Sequence, residues 1–203
     1  MPDVARLIAI EGGDGAGKTT QAVLLADAIG AVATREPGGT KLGERLRDLL
    51  LDPSYGEIDA RAELMMMLAA RAQHVAERIE PLLASGSWVV VDRFAFSTLA
   101  YQGYGRGLPL EEVRQACDLA TGGRWPDLTI VLDVEPGTAA RRKSRDVSDR
   151  FEKEDEGFHR RVREGFRSLT ASDPAQSVLL DGSASVADVE RQVRTVVAER
   201  LGR

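Results

Sequence analysis

Residues 12 to 19 form a glycine-rich run, Gly12-Gly13-Asp14-Gly15-Ala16-Gly17-Lys18-Thr19, which fits the pattern G-x-x-x-x-G-K-[ST]. The run follows the apolar residues 7–10 and opens a segment with helical spacing, which is the context that the pattern requires. Glycines let the backbone amides turn inward around an anion, and the start of the helix adds its positive end. The lysine can then reach the β- and γ-phosphates, and the threonine hydroxyl can bind magnesium. We therefore predict that this loop binds ATP or GTP.

Short apolar runs rich in β-branched residues alternate along the chain with longer segments of helical spacing. The apolar runs are 7–10, 31–34, 88–91, 128–132 and 178–180, and the helical segments include 18–29, 60–83, 110–121 and 186–201. Continuous apolar strands between helices are typical of a parallel sheet that is covered on both faces. We predict an α/β fold of the P-loop NTPase type, a three-layer sandwich with a five-stranded parallel sheet, helices on both faces and a helical lid. The chain is expected to form one domain, residues 1–203, with the lid at about 139–152.

The composition limits the classes of function. Hydrophobic residues make up 43% and charged residues 29% of the chain, which is ordinary for a globular domain. The single Cys117 cannot form an internal disulfide bond, and one cysteine with two histidines is too few for a zinc site. The net charge of −5 does not favour nucleic-acid binding, and no apolar stretch is long enough for a membrane span or a secretory signal. We expect a cytoplasmic protein without a nucleic-acid or membrane partner.

The predicted strand at 88–91 ends in the charged pair Asp92 and Arg93. An aspartate at a strand tip beside a phosphate-binding loop can hold magnesium through its water shell. The neighbouring arginine suits an enzyme that grips a second phosphate, because a guanidinium group matches phosphate geometry in two places. The alternative is a salt bridge at the edge of the sheet.

Six further motifs follow one another along the chain. They are residues 34–40 (Thr-Arg-Glu-Pro-Gly-Gly-Thr), 92–94 (Asp-Arg-Phe), 97–103 (ending in Ala-Tyr-Gln-Gly), 126–129 (Pro-Asp-Leu-Thr), 132–134 (Leu-Asp-Val) and 149–152 (Asp-Arg-Phe-Glu). In this order, together with the P-loop, they resemble the thymidylate kinase family over nearly the whole chain. The resemblance implies transfer of the γ-phosphate of ATP to dTMP, giving dTDP and ADP in dTTP synthesis. It also implies Mg²⁺ as cofactor and a homodimer packed through long helices.

The resemblance further implies roles for residues at matching positions. Asp14 would accept a hydrogen bond from the sugar 3′-hydroxyl, and Arg47 with Arg93 would bind the 5′-phosphate. Arg71 would bond the thymine carbonyl, and Tyr101 would crowd a ribose 2′-hydroxyl. The expected acceptor-site residues are Asp14, Glu36, Pro37, Arg47, Met67, Arg71, Arg93, Tyr101 and the base-edge residues Ser97, Thr98 and Gln102. The expected ATP site is Gly12, Gly13, Asp14, Gly15, Ala16, Gly17, Lys18, Thr19, Thr20 and Arg145, and the expected magnesium ligands are Thr19 and Asp92.

Two positions depart from the family pattern. Met67 stands where the family usually has a phenylalanine that stacks on thymine, although a thioether can also lie against a ring. Ala16 stands where one class of the family carries a basic residue, which makes a lid arginine the expected cation at the transferred phosphate. We favour Arg150 and then Arg145 for this role. The predicted catalytic residues are therefore Lys18, Arg93, Arg150 and Asp14.

Other readings of the sequence stay open. The nearest alternative is another small P-loop kinase, for a different nucleotide or a small metabolite. A nucleotide-hydrolysing switch would need a residue that orients water and a loop that senses the γ-phosphate, and we find no motif for either. A non-catalytic subunit is disfavoured because Lys18, Thr19 and Asp92 are all present. We interpret His74 as a hydrogen-bonded helix histidine and the acidic residues within 152–156 as a solvated helix start.

Overall fold

The computed structural model of the chain describes residues 4–135, 137–138 and 149–203. The strands are β1 (Leu7–Gly12), β2 (Val32–Arg35), β3 (Val89–Asp92), β4 (Leu128–Asp133) and β5 (Ser177–Asp181). The helices are α1 (Lys18–Ile29), α2 (Lys41–Leu51), α3 (Ala60–His74), α4 (Glu80–Ala84), α5 (Ala95–Thr98), α6 (Leu110–Thr121), α7 (Glu156–Ser172) and α8 (Val186–Leu201). Within this described part, no helix is both long and apolar enough to cross a membrane.

The predicted segments are found with small shifts. The second strand begins one residue later than expected, at Val32, and ends at Arg35. The predicted helix 60–83 is interrupted, because a π-helical turn at Val75–Ile79 connects α3 to α4. A second π-helical turn, Leu99–Gly105, continues α5, and a short 3₁₀ turn, Pro53–Tyr55, follows α2. Most of the predicted lid, residues 139–148, lies outside the described residues.

The described strands form one parallel sheet in the order β2-β3-β1-β4-β5. The predicted five-stranded parallel sheet of an α/β fold is therefore confirmed. The strand that precedes the P-loop is central, with Ile10 opposite Asp92 of β3 and Gly12 opposite Leu132 of β4. Parallel strands all end at the same edge of a sheet, and in open α/β sheets ligands bind beyond this edge. The register thus brings the P-loop and Asp92 together.

Side chains of the central strand alternate between two hydrophobic cores. Leu7 and Ala9 face the core formed with α3, α5 and α7, whereas Ile8 and Ile10 face the core formed with α1 and α8. All four side chains are fully buried. A parallel strand covered on both faces is apolar at every position, whereas a half-exposed strand would alternate with polar residues. Burial of each Leu or Ile side chain contributes about 1.5–3 kcal/mol to the stability of the fold. The strand that precedes the P-loop is therefore firmly anchored.

A close approach between strands explains the glycine at the end of β1. Gly12 has a φ of 135°, and a Cβ atom built there would lie 2.4 Å from the carbonyl oxygen of Leu132. Any side chain would therefore push β4 away and strain the backbone. Glycine lets the chain leave the sheet and turn directly into the phosphate-binding loop.

Candidate active site

The P-loop connects β1 to the start of α1. Gly17, in a left-handed conformation with a φ of 91°, precedes the helix, and no side chain of the described residues caps its first turn. Lys18 folds back over the loop, where its Nζ atom donates to the carbonyl oxygen of Gly13 at 2.6 Å. Burial, and then the nearby Arg93, lower the pKa of Lys18 to about 8. An anion in the loop would accept hydrogen bonds from the uncapped amides at the start of the helix. It would also stabilise the charged ammonium group of Lys18 and so oppose the lowering of its pKa.

The two expected magnesium ligands lie side by side at the carboxyl edge of the sheet. The Thr19 hydroxyl donates to Oδ2 of Asp92 at 2.5 Å. The second oxygen, Oδ1, is buried and accepts no hydrogen bond from any residue that the structure describes. The residues that the structure describes contain no cluster of three or more His, Cys, Asp or Glu side chains suited to a metal. This donor set fits Mg²⁺, which keeps several waters and binds through few carboxylates and substrate phosphates.

Arg93 lies between the P-loop and a neighbouring pocket. Its backbone φ is 70°, a left-handed conformation that non-glycine residues adopt at an energetic cost, often at functional sites. Its Nη1 atom donates to the carbonyl oxygen of Gly12 and to the hydroxyl of Ser97, each at 3.1 Å. Its Nη2 atom pairs with the carboxylate of Asp14 and lies 3.3 Å from the hydroxyl of Tyr101. The guanidinium group therefore contacts both the loop and the pocket wall.

The pocket beside Arg93 contains all eleven side chains expected at an acceptor site. Its lining consists of Asp14, Glu36, Pro37, Arg47, Met67, Arg71, Arg93, Ser97, Thr98, Tyr101 and Gln102, together with Leu51, Asp149 and Phe151. The last three were not predicted, because Leu51 reads as a helix residue and 149–151 as part of the lid. The lining comes from the P-loop, the turn after β2, helices α2 and α3, and the segments 93–102 and 149–151, and the fold brings them to one cavity.

Arg47 and Arg93 give this pocket two cationic walls. Arg47, on α2, donates from Nη1 to the carbonyl oxygen of Pro37 at 3.0 Å. Burial, and then the neighbouring Arg35, lower the pKa of Arg47. A phosphate between the two guanidinium groups would offset this unfavourable environment and accept charge-assisted hydrogen bonds from both.

The expected base-reading arginine is held by a buried network. The Nε atom of Arg71 donates to the carboxylate of Glu36 at 2.7 Å, and Nη2 donates to the carbonyl oxygen of Phe94 at 2.9 Å. His74 contacts the same carboxylate through Nδ1 at 2.9 Å and the hydroxyl of Thr34 through Nε2 at 2.8 Å. The interpretation of His74 as a hydrogen-bonded helix histidine is therefore confirmed. Glu36 lines the pocket, but both its oxygens serve to hold Arg71 and His74.

Glu11, which sequence reasoning missed, lies directly behind this site. Its buried carboxylate accepts hydrogen bonds from the backbone amides of Phe94 at 2.8 Å and Ser97 at 3.1 Å, and from the Ser97 hydroxyl at 2.5 Å. It thereby fixes the start of α5 and the turn that contains Arg93. Burial raises the pKa of Glu11 to about 7, although the hydrogen bond from Ser97 opposes this shift. In the sequence, the signal for this role of Glu11 was a single acidic residue in an otherwise apolar strand.

Arg150 pairs with a residue of α3. Its Nη2 atom is 2.6 Å from the carboxylate of Glu63 on α3, its Nε atom donates to the carbonyl oxygen of Leu50 at 3.0 Å, and its guanidinium group covers the ring of Phe151. Arg150 is buried in this arrangement. Arg145, the second lid candidate, lies outside the described residues.

The acidic segment before α7 differs in part from its prediction. Asp155 caps the helix by accepting a hydrogen bond from the backbone amide of Phe158 at 2.6 Å, as expected for a helix start. Glu154 instead forms an ion pair with Arg106 at 2.6 Å. Arg106 also packs over the ring of Phe158 and contacts Glu63, so Glu154 belongs to a partly buried charge network.

A P-loop that opens onto an arginine-walled pocket defines the class of P-loop kinases that act on a second phosphorylated substrate. The family model described as "Thymidylate kinase" matches residues 10–193. The chain is 48% identical over 201 residues to "Thymidylate kinase" of Synechococcus sp. (strain JA-3-3Ab), with 96% of both chains covered. It is 45% identical to "Thymidylate kinase" of Chromobacterium violaceum, with 93% of this chain and 91% of the relative covered. The crystal structure of thymidylate kinase from Ehrlichia chaffeensis superposes with a TM-score of 0.80 at 34% identity, covering 95% of this chain and 98% of that chain. The chain belongs to the thymidylate kinase family.

The environment of Glu11 predicts a pH dependence of stability that Glu11→Gln should remove. Because the pKa rises from 4.5 in the unfolded chain to about 7 in the folded protein, the folded state binds the proton more tightly. The contribution of this group is therefore favourable below pH 4.5 and is lost as the pH rises through 7, by about 3 kcal/mol in total. Urea denaturation between pH 5.5 and 8 measures the difference between wild type and the variant. We expect the wild type to lose stability relative to Glu11→Gln as the pH rises, and parallel profiles would contradict this assignment.

Proposed function

We propose that the chain transfers the γ-phosphate of ATP to dTMP, giving ADP and dTDP for dTTP synthesis. The observation that carries the proposal is the position of Arg93, whose guanidinium group contacts the P-loop at Gly12 and lines the adjacent pocket. A donor phosphate in the loop and an acceptor phosphate in the pocket would meet at this one cation. In-line transfer requires this arrangement of two anions.

The acceptor's phosphate and sugar have matching groups in the pocket. Arg47 and Arg93 would bind the 5′-phosphate from two sides. Asp14 would accept a hydrogen bond from the 3′-hydroxyl, and its carboxylate is already oriented by the hydroxyl of Tyr101 at 2.9 Å. Tyr101 itself packs edge-on against Phe151, which leaves its ring little freedom to make room for a ribose 2′-hydroxyl. A deoxyribonucleotide is therefore the favoured acceptor.

The base would occupy the part of the pocket next to Arg71. The guanidinium group of Arg71 can donate to the thymine carbonyl, and Ser97, Thr98 and Gln102 would read the remaining base edge. Met67 packs against the core beside the pocket, where its thioether would lie against the base in place of an aromatic ring.

The proposed mechanism is positioning and charge stabilisation without a covalent intermediate. A phosphate monoester oxygen is already a nucleophile at neutral pH, so no strong general base is required. Lys18 and Arg93 would stabilise the charge on the transferred group. A lid arginine, Arg150 or Arg145, would add a further cation, and Arg150 would have to leave the buried carboxylate of Glu63 to do so.

We also propose that Mg²⁺ binds with ATP at Thr19 and Asp92. The ion would neutralise charge on the β- and γ-phosphates. The support is the buried, unpartnered Oδ1 atom of Asp92 among the described residues, next to the Thr19 hydroxyl.

Asp92→Asn should therefore weaken the use of Mg²⁺. We expect the Mg²⁺ concentration for half-maximal ADP release to rise about tenfold or more, because the amide lacks the charge that binds the hydrated ion. Asp173→Asn, which changes the residue that follows α7, serves as the matched control and should leave this concentration unchanged. Equal Mg²⁺ dependence in all three proteins would contradict the assignment.

Arg93→Ala should remove the cation shared by both phosphates. We expect kcat/KM for dTMP to fall about a thousandfold, with the free energy of unfolding measured in parallel by urea denaturation. Arg194→Ala, at an exposed position on α8, is the control and should retain wild-type kinetics. Near-normal turnover of the Arg93→Ala protein would exclude the proposed role.

The substrate is tested with ATP and a panel of monophosphates. ADP release is measured with thymidine, deoxyuridine, uridine, cytidine, guanosine and adenosine monophosphates at equal concentrations. We expect dTMP to give the highest kcat/KM and the ribonucleotides to be poor acceptors. Preference for a purine would refute the substrate and leave the kinase class intact.

We further propose a cytoplasmic homodimer. Exposed apolar side chains on the adjacent helices α2, α3 and α6, namely Leu49, Met65 and Leu119, support a shared helical face. Light scattering gives the mass in solution, and a monomer at micromolar concentration would argue against it. The single, buried Cys117 fits a reducing compartment, which cell fractionation would test.

A further inference from the structure

Glu63 is a fully buried carboxylate that does not itself line the acceptor pocket. It lies in the first turn of α3 and receives side chains from two other segments. The Nε2 atom of Gln102 donates to its Oε1 atom at 2.8 Å, and Arg106 donates from Nη2 to Oε2 at 3.0 Å. The Nη2 atom of Arg150 lies 2.6 Å from the same Oε2 atom.

These contacts determine which end of the Gln102 amide faces Glu63. Glu63 receives N–H donors from Gln102 and Arg106, and a carboxylate oxygen accepts hydrogen bonds. The amide NH₂ group of Gln102 is therefore attracted to Glu63, whereas the amide oxygen would be repelled by it. The orientation of a glutamine amide is set by its hydrogen-bond partners, and here the partner allows one orientation only.

The opposite end of the amide follows from this orientation. Gln102 lines the acceptor pocket and Glu63 does not. Because the NH₂ group of Gln102 donates to Glu63, the carbonyl oxygen of Gln102 is the end of the amide that faces the pocket. We propose that Glu63 is a positioning residue for base selectivity, because it makes Gln102 a hydrogen-bond acceptor toward a base in this pocket. This inference rests on the proposed function and extends it to the choice among pyrimidines.

The neighbouring Arg71 completes the pattern. Its guanidinium group can only donate, so Arg71 and Gln102 together present a donor and an acceptor to the base. Thymine and uracil have the complementary edge, a carbonyl at C4 and a hydrogen on N3. Cytosine has the inverse edge, an amino group at C4 and a bare N3, and would leave buried polar groups opposed to like partners. Sites of this kind reject the wrong edge strongly, because desolvated polar groups stay unpaired.

The test compares dTMP with 5-methyl-dCMP, which carries the inverse edge but keeps the methyl group. Dissociation constants are measured by calorimetry, with displacement of dTMP where binding is weak. In Glu63→Gln, residue 63 can donate as well as accept, so the Gln102 amide is free to reverse. We expect the preference for dTMP over 5-methyl-dCMP to fall about tenfold. The ratio between dTMP and dUMP, which share one edge, and KM for ATP should stay within about twofold of wild type.

Glu154→Gln provides the matched control. Glu154 pairs with Arg106 in the same network, but its partner there is not Gln102, so its removal should leave base preference unchanged. Should Glu63→Gln fail to fold because Arg106 and Arg150 lose the carboxylate that they share, the double variant Glu63→Gln/Arg106→Met keeps the charges balanced and gives the same readout. Unchanged preference in the folded Glu63 variant, or an equal loss in Glu154→Gln, would overturn the inference. Absence of dTMP-dependent ADP release in the wild type would instead refute the proposed function.

Discussion

The site depends on holding one arginine, Arg93, in a left-handed backbone conformation between the P-loop and the acceptor pocket. The strained turn persists because the surrounding structure over-determines it. The amide of Arg93 donates to the carbonyl oxygen of Ile10 at 3.0 Å, and the next amide, of Phe94, donates to Glu11. The guanidinium group is then fixed from the other side by Asp14 and Ser97. A cation held in this way is oriented before either substrate arrives, which is the condition for electrostatic stabilisation without reorganisation.

Three buried glutamates support several of the polar groups that line the pocket. Glu11 on β1 orients Ser97 and the turn of Arg93, Glu36 after β2 orients Arg71, and Glu63 on α3 orients Gln102. A buried carboxylate is costly unless it is fully hydrogen-bonded, and each of these acids has two or more donors. The cost is offset by partners that lie in the site itself. The side chains of Ser97, Arg71 and Gln102 are therefore held in place at the pocket wall.

The sequence predicted the residues that line the pocket better than the residues that hold them in place. Asp14 and Arg93 lie in motifs with a recognisable order, and the fold gathers them as expected. Glu11 and Glu63 were missed because an isolated acid in an apolar strand or an ordinary helix has no local signature. Arg150 was favoured for the lid from its position in a motif, but its guanidinium group is directed to Glu63, a partner 87 residues away in sequence.

The sequence by itself determined the parallel sheet and the phosphate-binding loop, and its resemblance to the family indicated eleven of the residues that line the acceptor pocket. Glycine spacing, apolar runs and motif order are local properties of the sequence. They act directly through the sterics of the nearby backbone and the burial of neighbouring side chains. The tertiary structure alone decided which buried carboxylate faces Ser97, Arg71 or Gln102, and where Arg150 points. These pairings join residues far apart in the chain, and the energy of a buried charge depends on every group packed around it. Only the folded molecule brings those groups together.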